Sequence, residues 1–155
     1  MAWVRASCCN SIFIMRLRSM KVPITIKTSY NTAKVPSLVD SGATDNFIHP
    51  QTIRQLRLGT SLLDKPKKLF NVNDTQNKAG SVTRYVDLSV TTNQEKQQMR
   101  FLVSDIRRES LILGYPWLAA FEPRFKWKDG TLNPQYLPIT CQSIQPVQRQ
   151  EDQQE

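Results

Sequence analysis

The sequence has little of what most catalytic and metal chemistries require. It contains a single histidine, His49, and three cysteines, Cys8, Cys9 and Cys141, placed near the two ends. No CxxC pair and no Cys/His ligand spacing occurs, so a zinc-type metal site is excluded. Cysteines this few and this placed fit an intracellular, reducing, cytoplasmic setting. His49 stands directly before Pro50 with no activated Ser or Cys motif in company, so it reads as a helix-start residue rather than a triad base. No apolar run approaches the length of a membrane span, and there is no internal repeat. The first 39 residues lack any acid and carry six basic residues, most of the net charge of +8. Elsewhere the basic charge is scattered, with Lys65, Lys67 and Lys68 forming only a short run. Direct nucleic-acid binding is therefore not expected; a solvated basic surface accounts for the charge.

What is present suits one domain. A chain of 155 residues can bury a core without staples. Residues 1–21 read as a leader or arm and residues 22–134 hold nearly all the periodic apolar signal. Residues 135–155, Gln-rich from Gln142 onward, read as a disordered tail with nothing to bury. Within the middle zone Pro23-Ile-Thr-Ile-Lys-Thr-Ser29 alternates with period two, and a turn at Tyr30–Ala33 leads into an apolar run at Val35–Val39. Pro50–Gly59 predicts a helix, opened by Pro50 and closed by Gly59. Two hairpins follow, Leu69–Val72 with Gly80–Val86 and Val86–Val90 with Met99–Val103. Ser110–Gly114 is a short buried run, Tyr115–Phe121 a brief helix ended by Pro123, and Phe125–Leu132 a last hairpin around Asp129-Gly130. Trp117 and Trp127 read as core or edge-packing aromatics. The domain is mainly β, with one or two short helices.

One stretch does not behave like an ordinary strand and turn. In Val35-Pro-Ser-Leu-Val-Asp-Ser-Gly-Ala-Thr-Asp-Asn-Phe-Ile48 a carboxylate follows an apolar run and is itself followed by very small residues. An acid that activates water needs access to substrate and a fixed environment that tunes its proton affinity. Ser41 can hydrogen-bond locally, Gly42 lets the backbone turn tightly beside the acid, and apolar strands on both sides hold the loop. Asp-Ser-Gly is also simply a good turn, and a chain of this length shows such a tripeptide by chance roughly once in fifteen. The tripeptide alone does not decide.

Its context does. Leu38-Val-Asp-Ser-Gly-Ala-Thr44, Asp45-Asn-Phe-Ile48, Leu111-Ile-Leu-Gly-Tyr-Pro-Trp-Leu118 and Phe125-Lys-Trp-Lys-Asp-Gly-Thr-Leu132 arrive in this order. Together they resemble the retropepsin-like aspartic protease domain of gypsy-type LTR retrotransposon Gag-Pol polyproteins, over about residues 22–134. The resemblance implies a retropepsin-like (acid protease) closed barrel with one half-site per chain. It places Asp40 on the catalytic aspartate, Ser41 on the hydroxyl residue that braces the two active-site loops, and Gly42 on the residue whose backbone lies beside substrate. Ala43 and Thr44 line the same loop. Asn73, Asp74 and Thr75 fall at the tip of a substrate-covering flap, and Ile112, Leu113 and Gly114 on the strand supporting the loop from beneath. Two positions depart from the family pattern: Asn73-Asp74 stands at the flap turn without a glycine, and Arg57 takes the glycine position of a Leu-Gly-Leu helix end.

No second Asp-(Ser/Thr)-Gly exists in the chain; Asp129-Gly-Thr has the order wrong. An active enzyme of this family would then be a homodimer, each copy giving one Asp40 at the two-fold axis. The paired carboxylates would share one proton and activate a water between them, as aspartic proteases do in general. No cofactor and no metal is expected, and no membrane. The expected partners are a second copy and an extended polypeptide substrate, with polyprotein processing inside retroelement particles as the setting. The alternative is the same fold kept as a catalytically silent peptide-binding or dimerisation module.

Overall fold

A computed structural model describes residues 20–70 and 76–144, with side chains at Phe70 and at 76–79 left aside. The alternation at the start of the domain becomes β1 (Lys21–Lys27), whose Val22, Ile24 and Ile26 point into the core. Thr28 closes a turn, its amide donating to Asn31 O at 2.9 Å, and the chain returns antiparallel as β2 (Thr32–Val39). After the Asp40 loop come β3 (Asn46–Ile48) and α1 (Pro50–Leu56). Then follow β4 (Ser61–Phe70), the long β5 (Gln76–Thr92) and β6 (Glu95–Val103). β7 (Leu111–Leu113), α2 (Tyr115–Phe121), the small β8 (Phe125–Lys126) and β9 (Thr131–Leu132) pair, and β10 (Ile139–Ser143) complete the order.

Seven strands form a closed ring in the order β10-β1-β2-β7-β3-β6-β5, sealed by the β10–β5 pairing. The fold is thus the expected mainly β closed barrel with two short helices. β4 stands outside the ring and, among the described residues, pairs only with β5, so the β4–β5 hairpin leaves the barrel as an arm. Asn73, Asp74 and Thr75 lie outside the described residues. β5 turns into β6 through Asn93 and Gln94, both at positive φ (53° and 69°), the conformation a two-residue hairpin needs.

The core fills the ring. Trp117 is fully buried, and its indole Nε1 donates to Thr92 Oγ1 at 3.2 Å, so even the polar edge of the largest side chain is satisfied. Trp127 differs: it is 55% exposed and packs against Phe125 with ring centres 5.5 Å apart and planes tilted by 50°, on the hairpin rather than in the core. Residues 127–130 form the hairpin loop, with the Asp129 and Gly130 amides both donating to Lys126 O. Gly130 sits at φ 69°, where its lack of Cβ is used.

The helix ends differ from expectation in one respect. α1 starts as read: His49 is its N-cap, with Nδ1 accepting from the Gln51 amide at 3.0 Å. It stops at Leu56, not at Gly59. Arg57 turns the chain at φ 55°, ψ 45°, with Arg57 N donating to Arg54 O and Leu58 N to Ile53 O, a Schellman closure made without glycine. The Arg57 guanidinium lies 5.4 Å from the Tyr30 ring centre, a cation–π contact that offsets part of the strain.

Both domain edges extend further than composition suggests. Met20 is buried and accepts from the Val39 amide, and Lys21 is already in β1, inside the stretch read as leader. At the other end β10 lies within the stretch read as a disordered tail from residue 135. Ile139 and Cys141 are fully buried, and the strand runs parallel to β1 and antiparallel to β5. Its signal was two apolar residues between Pro138 and the glutamines, too short to stand out by periodicity. Without it the ring would be open between β1 and β5. Burial pushes the Cys141 thiol up to about 12, so it is a core hydrophobe rather than a nucleophile.

Candidate active site

The ring order places one loop under unusual constraint. β2 and β3 flank β7, parallel on one side and antiparallel on the other. The chain therefore leaves β2, forms residues 40–45, and returns as β3 with β7 running between its two arms. The end of β7 is fastened to that loop at three levels. Asp40 N donates to Leu113 O at 3.0 Å, Tyr115 N donates to Ala43 O at 2.9 Å, and Gly114 N donates to the side chain of Asn46 at 2.8 Å. Asn46 is fully buried, and its Nδ2 faces Met99 Sδ at 3.9 Å. An amide serving as an internal strut in this way explains a polar residue at a core position.

Asp40 sits at the exit of the buried Ser37-Leu38-Val39 run, partly exposed, with Ser41 and Gly42 exposed beyond it. Its Oδ1 accepts from the Gly42 amide at 2.9 Å, and its backbone carbonyl accepts from Ala43 N at 3.1 Å, so one tight turn fixes both the acid and its own backbone. Burial raises the Asp40 carboxyl above its ordinary value; the Gly42 hydrogen bond, which favours the ionised form, opposes this and is the smaller effect. A carboxylate with part of its hydration removed and one oxygen held by a backbone amide has its second oxygen available for water or substrate. The Ser41 hydroxyl makes no hydrogen bond among the described residues.

Gly114 shows how closely the strands approach. A Cβ there would lie 2.8 Å from Ala43 O and closer still to Asp45 O. Its backbone, φ −100°, ψ −158°, is ordinary extended chain, so space rather than conformational freedom requires the glycine.

A second, smaller apolar cluster lies beside the loop. Phe47, Val82 and Leu102 form its buried centre, and Ala43, Leu63, Leu69, Tyr85, Ile106 and Ile112 pack on it. The cluster joins the β4–β5 hairpin to the Asp40 loop through Ala43, giving an apolar wall against that loop. Ile112 belongs to this wall, whereas Leu113 points into the main core. The two neighbours thus face opposite sides of β7, the strand whose end is fastened to the loop. Polar groups edge the wall: Asp45 Oδ2 accepts from Thr44 Oγ1 at 3.1 Å and from Lys67 Nζ on β4 at 2.7 Å.

The structure brings Asp40, Ser41, Gly42, Ala43 and Thr44 onto one loop with Ile112, Leu113 and Gly114 against it. Asn46 and Val82 carried no site role in the sequence, and Lys67 read as part of a solvated basic surface. Asn46 stood in a quoted motif and could have been flagged as a polar residue opening an apolar strand; Val82 and Lys67 become neighbours of the loop only through the hairpin. Among the described residues no group of three His, Cys, Asp or Glu side chains comes together that could hold a metal ion. No helix among them is long and apolar enough to cross a membrane.

A closed barrel with an Asp-Ser-Gly loop threaded by β7 and a hairpin arm above it defines a retroviral-protease-like domain with an aspartic-protease fold. The family model described as the PEG10/RTL1 protease domain matches residues 36–141, more than half of the chain. The chain belongs to that family. Among solved structures it is similar to the EIAV protease complexed with the inhibitor HBY-793, at 18% identity and TM-score 0.45, covering 59% of this chain and 81% of that one. It is also similar to the retroviral protease-like domain of Ddi1 from Leishmania major, at 16% identity and TM-score 0.44, covering 79% of this chain and 92% of that one.

Proposed function

We propose that the chain is an aspartic endopeptidase that works as a homodimer, with Asp40 of each copy at a shared two-fold axis. The observation that carries this reading is the Asp40 turn: a partly desolvated carboxylate, tied to Gly42 N and braced by β7, at the exposed face of the barrel. One such carboxyl cannot both deprotonate water and protonate a carbonyl. Two brought together would share a proton, the ionised one taking a proton from water while the protonated one donates to the scissile carbonyl. The pair would titrate as a unit. The Ser41 hydroxyl beside the acid, without a hydrogen bond among the described residues, fits a brace to the second copy's loop. The β4–β5 hairpin would act as the flap, with Asn73, Asp74 and Thr75 at its tip, and the partly buried members of the apolar wall, Ala43 and Ile112 among them, would take substrate side chains. An extended peptide would add to the flap as a strand. Membership of a retroelement-derived protease family and the gypsy-type motifs support a polyprotein as the substrate.

The test is cleavage of a denatured protein mixture between about pH 4 and 6, where a carboxyl dyad shares its proton. Wild-type chain should cleave and be blocked by a statine-type peptide, and Asp40→Asn should be silent. A dimeric wild type as inactive as Asp40→Asn would overturn the enzyme reading and leave a peptide-binding module.

A further inference from the structure

The hairpin arm has few ties to the body of the domain. Among the described residues β4 pairs only with β5, and the arm passes beyond the ring where β5 leaves β6 at Tyr85. Leu69 of the arm packs on the apolar wall, and Lys67 lies two residues earlier, just before the β4–β5 register shifts. Lys67 pairs across the arm with Val82, a buried member of that wall. The Lys67 ammonium reaches past the wall to Asp45 Oδ2 at 2.7 Å. Asp45 is itself oriented by the Thr44 hydroxyl, and its backbone carbonyl is packed against Gly114. Among the described residues this is the one ion pair between β4 and the loop that carries Asp40.

We propose that Lys67 is a positioning residue: its ion pair with Asp45 clasps the hairpin arm to the active-site loop and sets how firmly a peptide is held between them. The proposal deepens the protease reading and rests on it for the role of the arm. Lys67 is half exposed and Asp45 less so, at 48% and 23% of the side chain, so the clasp is screened by salt and modest in strength. That suits a contact that must open each time a substrate enters. It works beside the apolar wall, which fixes where the arm rests, while the ion pair sets how long it stays.

The experiment has two arms. Amide hydrogen exchange over residues 61–69 is compared in wild type, Lys67→Met, Asp45→Asn, the double variant and Lys67→Arg, in dilute buffer and at about 0.5 M salt. Exchange there should quicken about two- to fivefold in either single variant, the range of an exposed ion pair. The double variant should add nothing further, Lys67→Arg should stay near wild type, and salt should quicken wild type but not Lys67→Met. Exchange in β1 and β6 serves as the folding control and should not change. In peptide cleavage, KM should rise by a similar factor in Lys67→Met with kcat unchanged, and Lys67→Arg should restore it. Wild-type exchange that ignores both salt and Lys67→Met would overturn the clasp, and so would quickened exchange with unaltered KM. A wild-type chain that cleaves nothing would sink the protease reading, and the exchange comparison would then decide the clasp by itself.

Discussion

Replacing Gly114 by alanine adds one methyl group at the point where β7 passes through the Asp40 loop. The new Cβ would lie 2.8 Å from Ala43 O and nearer to Asp45 O, both backbone atoms. Neither can swing aside as a side-chain end could. Relief requires the loop and β7 to separate by roughly one ångström, since carbon and oxygen rest at about 3.3–3.6 Å. The fastenings across that gap are short: 2.8 Å from Gly114 N to Asn46, 2.9 Å from Tyr115 N to Ala43 O and 3.0 Å from Asp40 N to Leu113 O. Overpacking in a filled site costs about 1–3 kcal/mol. Losing one of these bonds with its partner buried adds about 1–3 kcal/mol. The sum is about 2–6 kcal/mol, a large part of the roughly 5–15 kcal/mol that holds a domain together. Backbone preference works the other way, because φ −100°, ψ −158° is open to alanine and the substitution lowers unfolded-state entropy. Urea unfolding of Gly114→Ala at equilibrium measures the balance. A loss of less than about 0.5 kcal/mol, the range of an ordinary surface change, would refute the reasoning that close approach, not turn chemistry, demands this glycine.

Three further outcomes follow from single groups. Ser37 is fully buried, and its hydroxyl has no hydrogen-bond partner among the described residues, so Ser37→Ala should leave stability unchanged or raise it by about 1 kcal/mol in the same unfolding assay; a clear loss would mean the hydroxyl is satisfied. Arg57 holds a left-handed position that costs a side chain about 1–2 kcal/mol, so Arg57→Gly should stabilise by about 0.5–1 kcal/mol after losing the Tyr30 contact, read as a higher urea midpoint. Asp40 titrates above its ordinary 3.8 because burial disfavours its charge, so between that value and the raised one the folded chain holds more protons than the unfolded chain. Stability must therefore fall as pH rises through this window, and the penalty persists above it. Asp40→Asn should then be more stable than wild type near pH 7, with the gain vanishing near pH 3; an equal gain at both would contradict the burial argument.

Much of the barrel was legible because its inner faces alternate cleanly. Val22, Ile24 and Ile26 mark β1 by period two, and the residues around Asn93-Gln94 mark a hairpin by length alone. The Asp40 loop was legible for another reason: an acid among tiny residues after an apolar run is poor strand chemistry, and such local conflict marks where the strand gives way to a tight loop. What stayed hidden depended on contacts distant in sequence. β10 has only Ile139 and Cys141 to announce it and gains its place from β1 and β5. Arg57 ends a helix where glycine two residues later looked better, because Leu58 packs into the core and fixes the turn earlier. The Lys67–Asp45 pair joins residues that no spacing rule connects.

The central claim is that one site is built from two Asp40 carboxylates, one per chain. Titrating Asp40→Asn chain into a fixed amount of wild type, and following cleavage of a peptide substrate, tests it most directly. Mixed dimers carry a single competent acid, so activity should fall towards zero as the variant reaches excess. Wild-type activity that stays constant throughout, with mixed dimers demonstrably formed, would mean that a single Asp40 suffices and that the shared-dyad account is wrong.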